Sequence, residues 1–133
     1  MGPDVSNGKN TKLSKPSALE TAHLNRVRSG MADGSIRSIV SGKPAREVHH
    51  PLGGMWGSGK GLKAHDWFVI PLTFDEHRQY HLLGKQSWET RYGTHEMLLK
   101  AFWAAYGITP GEWMTEGMDF RRAEWCRRVL ERI

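Results

Sequence analysis

The run Trp67-Phe68-Val69-Ile70-Pro71-Leu72 passes directly into Thr73-Phe74-Asp75-Glu76. A short apolar run suits a buried strand. The pattern T-x-x-E is a capping box, in which threonine and glutamate satisfy each other's backbone N–H groups at the start of a helix. With no linker between them, the chain must end a strand and begin a helix at a single corner. The residues predict a short buried strand over "WFVI" (67–70), ending at Pro71. A helix then runs to about Leu83, where Gly84 stops it.

The same signals recur elsewhere. Ser17-Ala18-Leu19-Glu20 is a second capping box. It predicts a helix to about Arg28, with Leu19, Ala22, His23 and Val27 as a mostly apolar stripe and Gly30 as its end. "SIRSIVSG" (35–42) has the β-branched residues of a strand, and a Ser-Gly-Lys-Pro turn leads to a second one, "REVHH" (46–50), making a hairpin. A later helix spans about Thr94 to Tyr106, with Met97, Leu98, Ala101, Phe102 and Ala105 on its apolar face. Thr109-Pro110-Gly111-Glu112 looks like a further helix start. The last helix begins near Asp119. Phe120, Trp125, Val129 and Ile133 lie along one side, and Arg121, Arg122, Arg127, Arg128 and Arg132 form a solvated face. The expected fold class is α+β: a small core over about 35–84 with a short hairpin, surrounded by helices, and a helical part over 86–133. Residues 1–15 are polar, with Lys9, Lys12 and Lys15 against Asp4. They read as a disordered basic tail ahead of a single domain at 16–133.

Charge and cysteine usage narrow the function classes. The formal charge is +5 over 133 residues, which favours polyanionic partners such as nucleic acid. The single cysteine, Cys126, excludes an internal disulfide framework and a cysteine-based zinc knuckle. No apolar run reaches membrane-spanning length and no signal peptide follows Met1, so the expectation is a cytoplasmic protein with no membrane partner.

Gly54-Met55-Trp56-Gly57-Ser58-Gly59-Lys60 imitates the phosphate-binding pattern G-x-x-x-x-G-K. Gly61 stands where magnesium binding needs Ser or Thr, and no amphipathic helix follows. Nucleotide hydrolysis is therefore rejected, and no nucleotide cofactor is expected. A glycine-rich backbone beside Lys60 and Lys63 still allows close approach to a phosphate. His77 and His81 lie at i and i+4 on the predicted helix, so both imidazoles share a face. Taken alone, that spacing is more often surface polarity than a metal site.

Order adds what spacing lacks. A predicted hairpin ends in His49-His50, a glycine-rich loop leads through Asp66 to a strand, and a capped helix presents His77. Strand–loop–strand–helix with a histidine at each end is the ββα-metal arrangement of HNH endonucleases. Phosphodiester hydrolysis needs such groups: a divalent ion for the charge on the phosphate and leaving oxygen, and a neutral imidazole to take a proton from water near pH 7. Adjacent residues of a regular strand face opposite sides. His49 and His50 can flank one phosphate only if the strand ends or distorts between them, and Pro51 favours an end there.

At these residues the sequence resembles the phage and prophage HNH nucleases related to the RecA-dependent, recombination-enhancing nuclease. The likeness runs from about Ala22 to about Leu99 through "AHLNRVRSG", "EVHHPLGG", "GSGKGLKAHDWFVIPLTFDEHRQYH" and "SWETRYGTHEMLLK". It implies a metal-dependent DNA endonuclease or nickase linked to recombination or DNA processing, working in a bacterial host cell. His49 and His77 would bind one divalent ion, magnesium or manganese with zinc as an alternative, and His50 would be the general base. Asp66 would ligate metal or orient His50. His81 would be a further ligand, a phosphate contact or a helix-face partner. Lys60, Lys63 and Arg78 would contact DNA, and a RecA-type recombinase filament is a candidate partner. Glu89 and Arg91 would form a structural ion pair or act in catalysis. Where relatives carry Cys-x-x-Cys and "PLC", this chain has "SIRSIVSG" and "PLT". The alternative is a non-catalytic nucleic-acid-binding recombination accessory module that keeps the fold.

Overall fold

The computed structural model of the chain describes residues 15–56 and 65–133. The basic tail, apart from Lys15, and both loop lysines, Lys60 and Lys63, lie outside the described residues. The architecture is α+β and mostly helical, with one small two-stranded antiparallel sheet.

Helix α1 (Ala18–Asp33) starts at the expected capping box: Ser17 Oγ accepts from the Glu20 N–H, and Glu20 Oε2 accepts from the Ser17 N–H. It runs past Gly30 and stops at Gly34, whose φ of 85° suits only glycine well. Gly30 is a packing residue, not a terminator. A Cβ there would lie 2.6 Å from the Ile36 side chain, which folds back across the helix.

The predicted hairpin is corrected. Segment 35–42 pairs only through an isolated bridge, Arg37 to Pro44. Ser38 is the reason. Its hydroxyl accepts from the N–H groups of Val40 and Ser41 and donates to Glu76 Oε1 at 2.6 Å, coiling the segment into turns. Strand β1 (Glu47–His49) instead pairs antiparallel with β2 (Ile70–Leu72), in the register Glu47 to Leu72, Val48 to Pro71 and His49 to Ile70. Residues 66–68 form a turn of 3₁₀ helix, so "WFVI" is strand only at its last residue, and Pro71 lies inside the strand. Pro71 lacks an N–H, but its carbonyl accepts from the Ile39 N–H. The coiled segment therefore still grips the sheet.

The opening corner is as the sequence implied. Helix α2 (Phe74–Leu83) begins immediately after β2 with both capping-box bonds formed, Thr73 N–H to Glu76 Oε1 and Glu76 N–H to Thr73 Oγ1. Gly84, at φ 84°, ends α2 and caps α3 (Lys85–Tyr92). Trp88 of α3 is fully buried and donates its indole N–H to the Glu76 carbonyl, folding α3 back on α2. Thr94 caps α4 (His95–Ala105). The Thr109–Glu112 signal yields only a 3₁₀ turn over Glu112–Thr115.

Helix α5 (Phe120–Arg132) begins at Asp119 as expected, with the Asp119 side chain as its cap, but its faces are reassigned. Phe120 is 80% exposed, whereas Arg122, Ala123, Cys126 and Val129 are buried. Arg122 leaves the solvated arginine face to pair with the fully buried Glu20 of α1, with Nε to Oε2 at 2.8 Å and Nη2 to Oε1 at 2.7 Å. The Cys126 thiol is pushed up to about 12 by burial and stays a packing group. Trp56, Trp88, Trp103, Phe68, Phe102, Ile70, Leu72, Leu99 and Met114 fill the core beneath the sheet and helices. Two strands of three residues cannot stand alone in water. Packing against α2 and α4 holds them.

Candidate functional site

Strand β1 ends at His49, and His50 lies just beyond it, so the histidine pair straddles the strand end. The two rings take different partners. His50 Nε2 lies 2.9 Å from Asp66 Oδ1, with both side chains about six-sevenths buried. Since a carboxylate accepts, Nε2 carries a proton, and in the neutral ring this leaves the lone pair on Nδ1. Asp66 is itself held from behind: its backbone N–H donates to Glu20 Oε1 at 3.2 Å, and His65 beside it donates through Nε2 to the Arg122 carbonyl at 3.0 Å. The buried Glu20–Arg122 pair thus ties α1 and α5 to the loop that carries Asp66.

His49 is 2% exposed and packs among the rings of Tyr80, His77, His95 and Trp88, with centroids 4.6 to 6.0 Å away. Burial and the neighbouring imidazoles push its pKa down to about 2, so it is neutral. Its Nε2 faces His95 Nε2 at 2.9 Å. His95 is the first residue of α4. Its Nδ1 donates to Glu89 Oε2 at 2.5 Å, and its backbone N–H donates to the same oxygen at 2.8 Å. Burial outweighs the carboxylate and holds His95 below the usual imidazole range. Burial works to raise the Glu89 carboxyl, but the hydrogen bonds from His95 prevail and hold it below the usual range. With its proton fixed on Nδ1, neutral His95 offers a lone pair at Nε2.

The sequence-derived residues are therefore only partly brought together. His50 and Asp66 meet. His49 and His77 are ring neighbours at 5.0 Å, and His77 Nδ1 pairs with Glu47 Oε1 at 3.1 Å. His81 stands one step further out, 5.0 Å from the His77 ring. Arg78 is exposed and loosely paired with Asp75 at 3.9 Å. Glu89 does not pair with Arg91, whose guanidinium lies over the Tyr92 ring at 5.4 Å. Among the described residues, no three or more His, Cys, Asp or Glu side chains converge in a position to hold a metal ion. With the His95 proton on Nδ1, the 2.9 Å contact is a hydrogen bond from His49 Nε2–H to His95 Nε2, so both nitrogens could take a divalent ion only if it displaced that His49 proton. His95 is anchored by a carboxylate in the manner that orients metal-binding histidines. Imidazole nitrogens suit a zinc-type ion better than magnesium, and the rings of His77 and then His81 stand next to His49 on α2.

The sequence pattern did not single out His95 as a neighbour of the histidine pair. Its signals were the Thr94 cap and the nearby Glu89, but the turn at Gly93 separates them, so no helical spacing connects the two side chains.

Comparison with known proteins places the chain by family. Residues 35–109 match the model described as "Protein of unknown function (DUF968)". The chain belongs to that family. The matched span holds His49, His50, Asp66, His77, Glu89 and His95 together. The chain is also 39% identical over 61 residues to the uncharacterized protein YdfU of Escherichia coli (strain K12). That stretch covers 46% of this chain and 17% of YdfU, about a sixth of its length. No solved structure matches. Among the described residues, no helix is long and apolar enough to cross a membrane.

Proposed function

We propose that the chain is a metal-dependent phosphodiester hydrolase of the ββα-metal (HNH) type, acting on DNA as an endonuclease or nickase. The observation that carries this reading is the His50–Asp66 pair at 2.9 Å, set at the end of β1 next to the buried His49. Asp66 accepts from His50 Nε2, which leaves Nδ1 to take a proton from the attacking water. Asp66 also favours the imidazolium that results, and the Glu20 carboxylate holds the Asp66 backbone in place. His49 and His95 would hold the ion through their Nε2 atoms, and Glu89 keeps the His95 ring turned toward it. When bound, a divalent ion supplies charge stabilisation at the phosphate and the leaving oxygen. His77, oriented by Glu47, stands beside His49 on the α2 side.

In this reading the chain is phage-encoded and cytoplasmic in a bacterial host. DNA is its substrate, and a RecA-type filament is the partner to test if naked DNA is not cut. The test is nicking of supercoiled plasmid with magnesium or manganese, for the wild type and His50→Ala. Removing a general base should lower the rate by roughly 10²- to 10⁴-fold. Nicking by His50→Ala at the wild-type rate would remove His50 from the mechanism. One observation favours a second reading: the described residues contain no three-ligand cluster. A nucleic-acid-binding accessory module that keeps this fold would bind DNA tightly and salt-sensitively without cutting it.

A further inference from the structure

Helix α2 has two dressed faces. Glu76 and Tyr80 point into the protein. On the outer side, Phe74, Arg78 and Leu82 follow one another at i, i+4 and i+8, with His77 and His81 alongside. Phe74 is 61% exposed and Leu82 66%, which is unusual for large apolar groups placed in a row. Together with Glu47 these side chains line a cleft of about 310 Å³. His77 belongs both to this cleft and to the ring cluster around His49.

We propose that this cleft binds an unpaired nucleobase, stacked on the Phe74 ring, with Arg78 holding the adjoining phosphate. The inference rests on the reading of the His49–His50–His77 region as a nucleic-acid site and names the form of nucleic acid it takes. An exposed aromatic ring can stack only on a base whose face is open, and inside a duplex both faces of each base are covered. A row of aromatic, cationic and aliphatic groups along two helical turns matches the mixed surface of a single strand. The Arg78–Asp75 contact at 3.9 Å is too loose and exposed to compete strongly with a phosphate. Glu47, the acidic side of the cleft, is engaged by His77 Nδ1. The phosphate is therefore placed against Arg78, the cation of the cleft, and the strand crosses α2 beside His77.

The test is fluorescence anisotropy of the full chain with a short labelled oligothymidylate and with a labelled duplex of equal length, in EDTA so that nothing is cut. Phe74→Ala should weaken single-strand binding by roughly 5- to 150-fold, the range of one base–aromatic stack. It should leave duplex binding unchanged, and Phe74→Trp should keep wild-type single-strand affinity. Phe74 is exposed, so far-UV circular dichroism should show both variants folded. Unchanged single-strand affinity in Phe74→Ala would overturn the proposal, as would full affinity in Phe74→Leu or an equal loss on duplex. The two readings fail separately. His50-dependent nicking with no Phe74 effect on binding removes the base cleft and leaves the hydrolase. A Phe74-dependent single-strand affinity without metal-dependent nicking removes the hydrolase and leaves the cleft.

Discussion

Replacing Arg122 with alanine tests how the last helix holds the candidate site. Glu20 is fully buried, and among the described residues its two oxygens accept four hydrogen bonds: from Arg122 Nε and Nη2, from the Ser17 N–H at 2.9 Å and from the Asp66 N–H at 3.2 Å. Taking away the guanidinium leaves two backbone donors for a carboxylate that water does not reach. Breaking a buried pair from one side costs about 3–5 kcal/mol, because the remaining charge is uncompensated. The two surviving backbone bonds offset part of that, while the lost packing of the arginine stem adds to it, so the expected cost is about 3–4 kcal/mol. Chemical denaturation in urea should report this as a lower midpoint with little change in slope. In Glu20→Leu/Arg122→Leu both charges are gone, and the pair should lose less than the sum of its single variants. A cost under about 1 kcal/mol for Arg122→Ala would show that the pair is solvated and does not brace Asp66.

Three further outcomes can be measured together on the same protein. His23 is buried against Trp67 and Phe102, and its Nε2 has no hydrogen-bond partner among the described residues; burial, with help from Arg26, lowers its pKa to about 4. The unfolded chain takes up this proton below its ordinary value of about 6.5, while the folded chain resists until about 4, so the contribution of His23 to stability should fall as pH drops through that window and stay constant beneath it. The loss from this group is on the order of 3 kcal/mol, and His23→Leu should flatten the slope in urea titrations across those pH values; an unchanged slope would acquit His23. For the metal, Glu89→Gln should weaken manganese or zinc binding by about 10- to 100-fold in calorimetry through the misoriented His95, and His81→Ala should leave it nearly unchanged. The reverse ranking would return the ligand role to His81 and remove it from His95.

Local chemistry was legible from the residues alone. Both capping boxes form as written because each bond joins atoms three residues apart, and no distant neighbour is needed to make it. The corner between β2 and α2, the caps at Thr94 and Asp119, and the end of β1 at the histidine pair are of the same kind. The partners of a strand, a glycine or a buried charge are set by residues far along the chain. β1 pairs with β2 instead of with segment 35–42 because Ser38 draws that segment into turns against Glu76, which is 38 residues away. Gly30 continues its helix because Ile36 needs the space of the missing Cβ. Arg122 is buried because Glu20, across 102 residues, is the counter-charge that makes burial tolerable. The sequence by itself therefore determined where α1, α2, α4 and α5 begin, and that histidines and an aspartate stand at the ends of short elements. Tertiary structure alone decided which of them meet: His50 with Asp66, and His49 with a His95 that Glu89 turns to face it.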